Sequence, residues 1–409
     1  MTKRLRRLLA GGIAALQLIS AAACSASLET PVTEGETMQT VENNADPAPT
    51  TAPVPDHLTA PPVYTLPGNA SSDEARAMAV RAMADQLTFP WTPAQDATLK
   101  YIQVNNDRNR TFYASKAYAG MPYAGGGTGL LQALSYYDFE TGVMKDLPWQ
   151  NINDVFGNTC ATAVNWALSA VCPSVCGTQT DSVAPAFGYE PIGDVTLPPD
   201  LVTFDNGEHS TSVYVDAADE QALYRAYAMM LPADVYISVG SPNEGAHAMM
   251  CYETPEIVSL PGGGIDPDNS FAVVIDQRAT DKEYVLNGTT YLMRGRIGGR
   301  ISFSELRRKH YLPLRPADLA NWQGSEPAAS ALDGAVSTLA ELRGATVLSN
   351  YRLARLTFTL TDESGEVVLT RKLNVAQSNF REKQDRAFAA ASAIPGDRAL
   401  KDAVGEGKT

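Results

Sequence analysis

Asn158-Thr159-Cys160-Ala161-Thr162-Ala163-Val164-Asn165-Trp166-Ala167 reads as the opening of a helix with a cysteine in its first turn, continuing to about Ala170 and stopped by Cys172-Pro173. The first N–H groups of a helix have no intrahelical partner and sit at its positive dipole end. Such a position favours thiolate over thiol and can donate to an oxyanion. Downstream, Gly245-Ala246-His247-Ala248-Met249-Met250 brings a histidine through a glycine-flanked approach into an apolar strand. A helix-borne thiol and a strand-borne imidazole are the two parts of a Cys/His nucleophilic pair. The competing reading of Cys160 is a small buried side chain in an alanine-rich helix.

The chain has only four histidines, which narrows the choice of base. His57 falls in a Pro/Thr-rich stretch, and His209 in the polar loop Asn206-Gly207-Glu208-His209-Ser210. His310 follows Arg307-Arg308-Lys309 and reads as a solvated helix end, which leaves His247. An orienting partner for its ring is expected at the end of the strand Phe271 to Ile275, where Asp276 and Gln277 point to opposite faces. An ionised Asp stabilises an imidazolium, whereas a Gln fixes the tautomer without charge, and both readings stay open. Cys251 lies within a strand, where no helix dipole lowers its pKa, so it is a poor rival to Cys160.

The front of the chain sets the compartment. Lys3, Arg4, Arg6 and Arg7 precede an apolar run from Leu8 to Ala23, which ends in Ala21-Ala22-Ala23-Cys24. This is the pattern of a secretory signal peptide over residues 1–24. Small residues before Cys24 suit lipid attachment at that cysteine, with secretion after Ala23 as the alternative. A run of roughly 16 apolar residues falls short of the ~20 that span a bilayer. Residues 25–68 are rich in Thr, Pro, Ala and Glu, too polar to offset chain entropy by burial, and read as a disordered tether.

The formal charge of −14 becomes −18 when the four cations of the signal leave. So acidic a chain lacks the basic footprint of a nucleic-acid partner. Cys172-Pro173-Ser174-Val175-Cys176 reads either as two small buried residues in a turn or as a local disulfide. No further ligands lie at zinc-like spacing and no loop has the alternating oxygens of an EF-hand, so neither a metal nor another cofactor is expected.

The order of elements predicts an α+β fold. Ser71 to Gln86 has capping residues followed by helix formers. Gly120-Met121-Pro122-Tyr123-Ala124-Gly125-Gly126 is a loop dense in residues that permit positive φ. Strands are expected at Val235–Val239, Ala248–Tyr252, Phe271–Ile275, Glu283–Leu286 and Thr290–Arg294, the last two joined through Asn287-Gly288. Ser302, with Glu305 three residues on, opens a short helix. Trp91 and Trp149 read as core packing or as the lining of a groove. These elements place one large domain at 69–318 and a linker at 319–338. A small β-rich module at 339–409 follows, with strands at Ala345–Leu348, Leu356–Leu360 and Val367–Thr370 and a charged helical stretch from Asn379 to Ala391.

The Gly120–Gly126 loop, Cys160 opening a helix and His247 opening a strand together resemble the NlpC/P60 superfamily of papain-like cell-wall cysteine peptidases, over roughly residues 75 to 316. The resemblance departs at the nucleophile, where Thr159-Cys160-Ala161-Thr162 stands in place of the usual Asp-Cys-Ser-Gly, and in a longer Tyr123 to Cys160 interval. It implies a papain-like arrangement with Cys160 as nucleophile, His247 as base and an orienting residue at Asp276 or Gln277. Tyr123 would stand beside the thiol. It further implies an exported, membrane-anchored hydrolase acting on peptidoglycan stem peptides. The alternative is a catalytically silent scaffolding lipoprotein of the same shape.

Overall fold

The computed structural model describes residues 57–99, 110–124, 129–145, 157–175, 183–198, 200–243, 245–286, 288–324, 339–344, 346–348, 356–361, 366–373, 387–389 and 394–404. Helix α1, Ser72–Thr88, starts where its sequence says it should. The Glu74 N–H donates to Ser71 Oγ at 3.2 Å, and the Ser71 N–H donates to Glu74 Oε2 at 2.7 Å, a reciprocal cap that satisfies two orphan donors. Ala75, Ala79, Ala82, Met83 and Leu87 recur at helical spacing and form its buried face. Against it packs α2, Cys160–Leu168, whose Cys160, Ala161, Thr162, Ala163 and Ala167 are small and buried. Small side chains let α2 and its neighbours approach closely, so the alanines near Cys160 are packing residues. Three more helices are Thr211–Ala217 (α3), Glu220–Ala228 (α4) and Phe303–Arg308 (α5).

The strands Pro90–Pro93 (β1), Ala117–Ala119 (β2), Tyr137–Asp138 (β3), Val143–Met144 (β4), Tyr189–Pro191 (β5), Val235–Ser238 (β6), His247–Glu256 (β7), Phe271–Leu286 (β8), Thr289–Ser302 (β9) and Leu312–Pro316 (β10) join in one mixed sheet. Its order is β3-β4-β1-β2-β9-β8-β7-β6-β10-β5. The central run β9-β8-β7-β6-β10-β5 is antiparallel throughout, while β9 meets β2, and β1 meets β4, in parallel. Val235, Tyr236 and Ile237 of β6 and Ala248, Met249, Met250 and Cys251 of β7 are wholly buried, as a central strand covered on both faces requires. The architecture is therefore α+β.

Several expectations change. Phe271–Ile275 and Glu283–Leu286 belong to one long strand, β8, because a register irregularity between Gln277 and Lys282 lets the ladder with β9 continue through its polar middle. The end of the expected tether is ordered: Leu58 N–H donates to Tyr137 Oη at 3.0 Å, and Tyr64 Oη donates to Asp85 Oδ2 at 2.9 Å. A few apolar anchors suffice to pin that proline-rich segment. At the other border Leu319 is buried and Trp322 Nε1 donates to the Ala70 carbonyl at 2.7 Å, so packed structure runs into the expected linker. His310 is not solvated. It is 8% exposed with φ of 56°, and its ring meets Ser241 Oγ at 2.7 Å and Asp216 Oδ1 at 3.3 Å. Trp91 is core, 2% exposed, and donates to the Gly120 carbonyl at 2.8 Å.

In the C-terminal segment Leu356–Thr361 and Val367–Leu373 form an antiparallel pair. Thr346–Leu348 pairs with Ala387–Ala389, which is strand where a charged helical stretch was expected. A helix at Asp397–Val404, which was not expected, buries Leu400. Cys24, Trp149, Cys176 and most of the expected tether lie outside the described residues. Among the described residues no helix is long and apolar enough to cross a membrane.

Candidate active site

The site assembles where the N-terminus of α2 meets the start of β7. Thr159 caps α2: its Oγ1 accepts from the Thr162 N–H at 3.4 Å, which aligns the first turn and places Cys160 at its first position. The segment that precedes the cap is held by the backbone of the Tyr123 loop. Asn158 N–H donates to the Pro122 carbonyl, and Ala124 N–H to the Asn158 carbonyl, each at 3.0 Å. Gly157 makes this approach possible, because its φ is 132° and a Cβ there would stand 2.5 Å from Pro122 O. From α1, Gln86 ties the parts together: its Nε2 donates to the Ala163 carbonyl and its Oε1 accepts from Asn158 Nδ2, both at 3.0 Å.

At the Cys160 sulfur, Tyr123 Oη donates at 3.8 Å, and the His247 imidazole and the Ala248 N–H stand near enough to favour the thiolate. On the far side of the ring, His247 Nε2 meets Asp276 Oδ2 at 2.7 Å. Cys160, His247 and Asp276 are thus brought together from α2, β7 and β8, with the imidazole acting electrostatically on the thiol and bonded to the carboxylate. Cys160 is 1% exposed and Asp276 0%, whereas the His247 side chain retains 15%. The imidazole is thus the most open member of the three.

Gln277 takes a different part. Its Nε2 donates to the Met121 carbonyl at 2.6 Å, so it braces the Tyr123 loop from behind and does not meet the imidazole. Strand alternation separates the two side chains as expected, and Asp276 is the one that meets the imidazole. Cys251 is buried in β7 with its Sγ against the Glu253 carbonyl, and burial pushes its thiol well up, so it is inert. Cys172 is a buried free thiol, also raised by burial; its candidate partner Cys176 lies outside the described residues. Among the described residues no cluster of His, Cys, Asp and Glu suits a metal ion.

The charges follow from the geometry. Burial opposes ionisation of Cys160, but the His247 charge and hydrogen bond, the Ala248 N–H and the Tyr123 hydroxyl outweigh it, and the thiol pKa falls below its ordinary value. For His247 burial opposes the cation, yet the Cys160 thiolate and the hydrogen bond to Asp276 raise it to about 9. Burial likewise penalises the Asp276 carboxylate; the Arg296 guanidinium, then His247 and Arg278, overcome this and hold it below the usual carboxylate range. The two shifts favour the same partners, thiolate and imidazolium, and the titrations are shared by the two groups.

Two arginines of this site escaped sequence reading. Arg296 Nε donates to Asp276 Oδ1 at 2.8 Å and Arg278 Nε to Oδ2 at 2.9 Å. Arg278 stands two residues after Asp276 and shares its strand face, a signal that alternation offered. Arg296 is the cross-strand partner of Asp276, a register that depends on irregularities in β8 which the sequence does not mark. No match to the chain was found among family models, curated proteins or solved structures.

Proposed function

We propose that this chain is an exported cysteine hydrolase that cleaves an amide bond, with peptidoglycan stem peptides as its substrate class. The observation that carries the reading is the grouping of Cys160, His247 and Asp276, with His247 bonded to Asp276 at 2.7 Å and the thiol at a capped helix N-terminus beside the imidazole. The Cys160 thiolate attacks the amide carbonyl carbon and forms a carbon–sulfur bond while the oxyanion takes the electron pair. The N–H groups at the start of α2 and the Tyr123 hydroxyl are the donors nearest to that oxygen. The imidazolium gives its proton to the leaving amine as the carbon–nitrogen bond breaks. His247 then accepts a proton from water, whose oxygen attacks the thioester and releases the acid and the thiolate. Asp276 keeps the ring turned toward the sulfur through both steps.

Within this proposal the helix bearing Cys160, laid against the antiparallel strands bearing His247 and Asp276, is a papain-like arrangement. The departure at Thr159-Cys160-Ala161 is compatible with it, because Thr159 supplies the cap and Ala161 and Thr162 fill buried positions. Export with lipid attachment at Cys24 is the proposed route to the cell envelope, with plain secretion as the variant form. The test is to incubate purified cell wall with the wild-type protein and with Cys160→Ala and to analyse the released fragments. New amine and carboxyl ends released by the wild type alone support the reading. Equal release by both ends it, and no release by either leaves a silent scaffold as the better description.

A further inference from the structure

We propose that Arg296 and Arg278 are positioning residues that clamp Asp276 and temper its pull on the His247 imidazolium, so that the ring can release its proton. The inference deepens the hydrolase reading and rests on it for its purpose, although its geometry stands independently. Asp276 is wholly buried and all its contacts are directional: His247 Nε2 and Arg278 Nε on Oδ2 at 2.7 and 2.9 Å, and Arg296 Nε on Oδ1 at 2.8 Å. Arg296 is fixed at its far end as well, where Nη2 meets the buried Met249 Sδ at 3.1 Å. Its stem crosses directly over Gly299, where a Cβ would overlap Arg296 Cγ and Cδ. The absent side chain at Gly299 is thus what gives the guanidinium its path to the carboxylate.

The chemistry gives this arrangement a consequence. A buried carboxylate bonded to an imidazolium, with no other cation near, would hold the proton so firmly that the ring became a poor acid. Two guanidiniums on the same carboxylate keep it ionised and fixed while offsetting its field at the ring. The charged and titratable groups facing His247 are Cys160 from α2, Tyr123 from its loop, Asp276 and Arg278 from β8, and Arg296 from β9. Tyr311 adds its ring edge-on at 6.5 Å. With the ionised pair in place, this cluster carries one more positive than negative charge, and removing a cation strengthens the hold on the imidazolium.

The experiment follows the His247 carbon-bound proton by NMR in protein labelled with [13C]histidine, its resonance assigned by its loss in His247→Gln. Arg296→Gln is expected to raise the His247 midpoint by about one pH unit, about tenfold in proton affinity, the order expected of charges roughly 6 Å apart across a partly solvated site. Arg296→Lys, which keeps the charge, is expected to titrate close to wild type. Gly299→Ala keeps every charged residue and displaces only the Arg296 stem; it is expected to shift the midpoint upward too, and it serves if Arg296→Gln does not fold. An unchanged or lowered midpoint in a folded Arg296→Gln or Gly299→Ala protein would overturn the clamp. The readout needs no substrate, so failure to release cell-wall fragments would count against the hydrolase reading and leave this result standing.

Discussion

Replacing His247 with alanine isolates the interaction on which the proposed chemistry depends. In the wild type the imidazole outweighs burial and draws the Cys160 thiol below its ordinary value. Without it burial remains, opposed only by the Ala248 N–H and the Tyr123 hydroxyl, and the thiol should rise to or above the ordinary value of about 8.5. At pH 7 a thiol at that value is only about 3% ionised. A low-pKa thiolate is also a weaker nucleophile, so the expected loss of reactivity at pH 7 is only about threefold and the shift of the inflection is the larger effect. The assay is iodoacetamide alkylation of Cys160, read by mass spectrometry between pH 4 and 10. Because Cys160 is 1% exposed, access scales the absolute rates, and the position of the inflection is the decisive quantity. The wild-type inflection should lie below that of an ordinary thiol, with a second, smaller step near pH 9, where the imidazolium is lost. His247→Ala should show one inflection, above pH 8. The sign differs for turnover, which requires the imidazolium as acid and should therefore decline above about pH 9 while alkylation does not. Coincident alkylation curves for the two proteins would refute the ion pair.

Tyr123→Phe removes the hydroxyl that donates to Cys160 at 3.8 Å. It should slow hydrolysis on the order of 10²-fold in kcat with little change in KM, the range for one oxyanion donor, and steady-state kinetics on a stem peptide would check this. Gly157→Ala forces a side chain against Pro122 O from a φ of 132°, and should lower stability by about 1–3 kcal/mol in urea titration while misplacing the Tyr123 loop. Asp234, wholly buried, accepts from Arg76 Nη1 at 2.9 Å and Arg315 Nη2 at 2.7 Å, joining α1 to β10. Asp234→Ala should destabilise by about 3–5 kcal/mol, because it strands buried cations, and a loss under about 1 kcal/mol in the same titration would argue against the network.

What the sequence disclosed and what it hid divide along a physical line. Features set by neighbours in the chain were legible: the Ser71 and Ser302 caps, the helix opening at Cys160, and the strand that carries His247 all depend on local spacing. The opposed roles of Asp276 and Gln277 followed from period-two alternation, although only the fold could say which faced the imidazole. Features set by register were hidden. Arg296 comes opposite Asp276 only after the irregularities in β8 are counted. His310 looked solvated from its basic neighbours, yet the left-handed turn at the end of α5 folds its ring onto Ser241. Gln86 and Gly157 carry no local signal of their part, which comes from the Asn158 segment and the Tyr123 loop packed against them.

The charge cluster at Asp276 raises a final question, because burying a carboxylate among cations is a poor way to gain stability. Pairs of this kind lose much of their Coulomb attraction to desolvation, and well-packed apolar replacements are often neutral or stabilising. Removing one member is another matter. Asp276→Asn would leave the Arg296 and Arg278 guanidiniums beside the imidazole without a counter-charge, at a cost of about 3–5 kcal/mol. Replacing Asp276 and Arg296 together, by Asn and Met, removes one charge of each sign and should recover most of that loss in chemical denaturation. The same double variant should not recover the lowered alkylation inflection of Cys160, because an Asn at 276 can still accept from the ring but no longer supplies the negative charge that favours the imidazolium. Stability and thiol reactivity are thus expected to separate. If the double variant regained both, the cluster would be packing alone and the chain through Asp276 would have no part in setting the nucleophile; if it regained stability only, the buried charges are kept for the chemistry at Cys160.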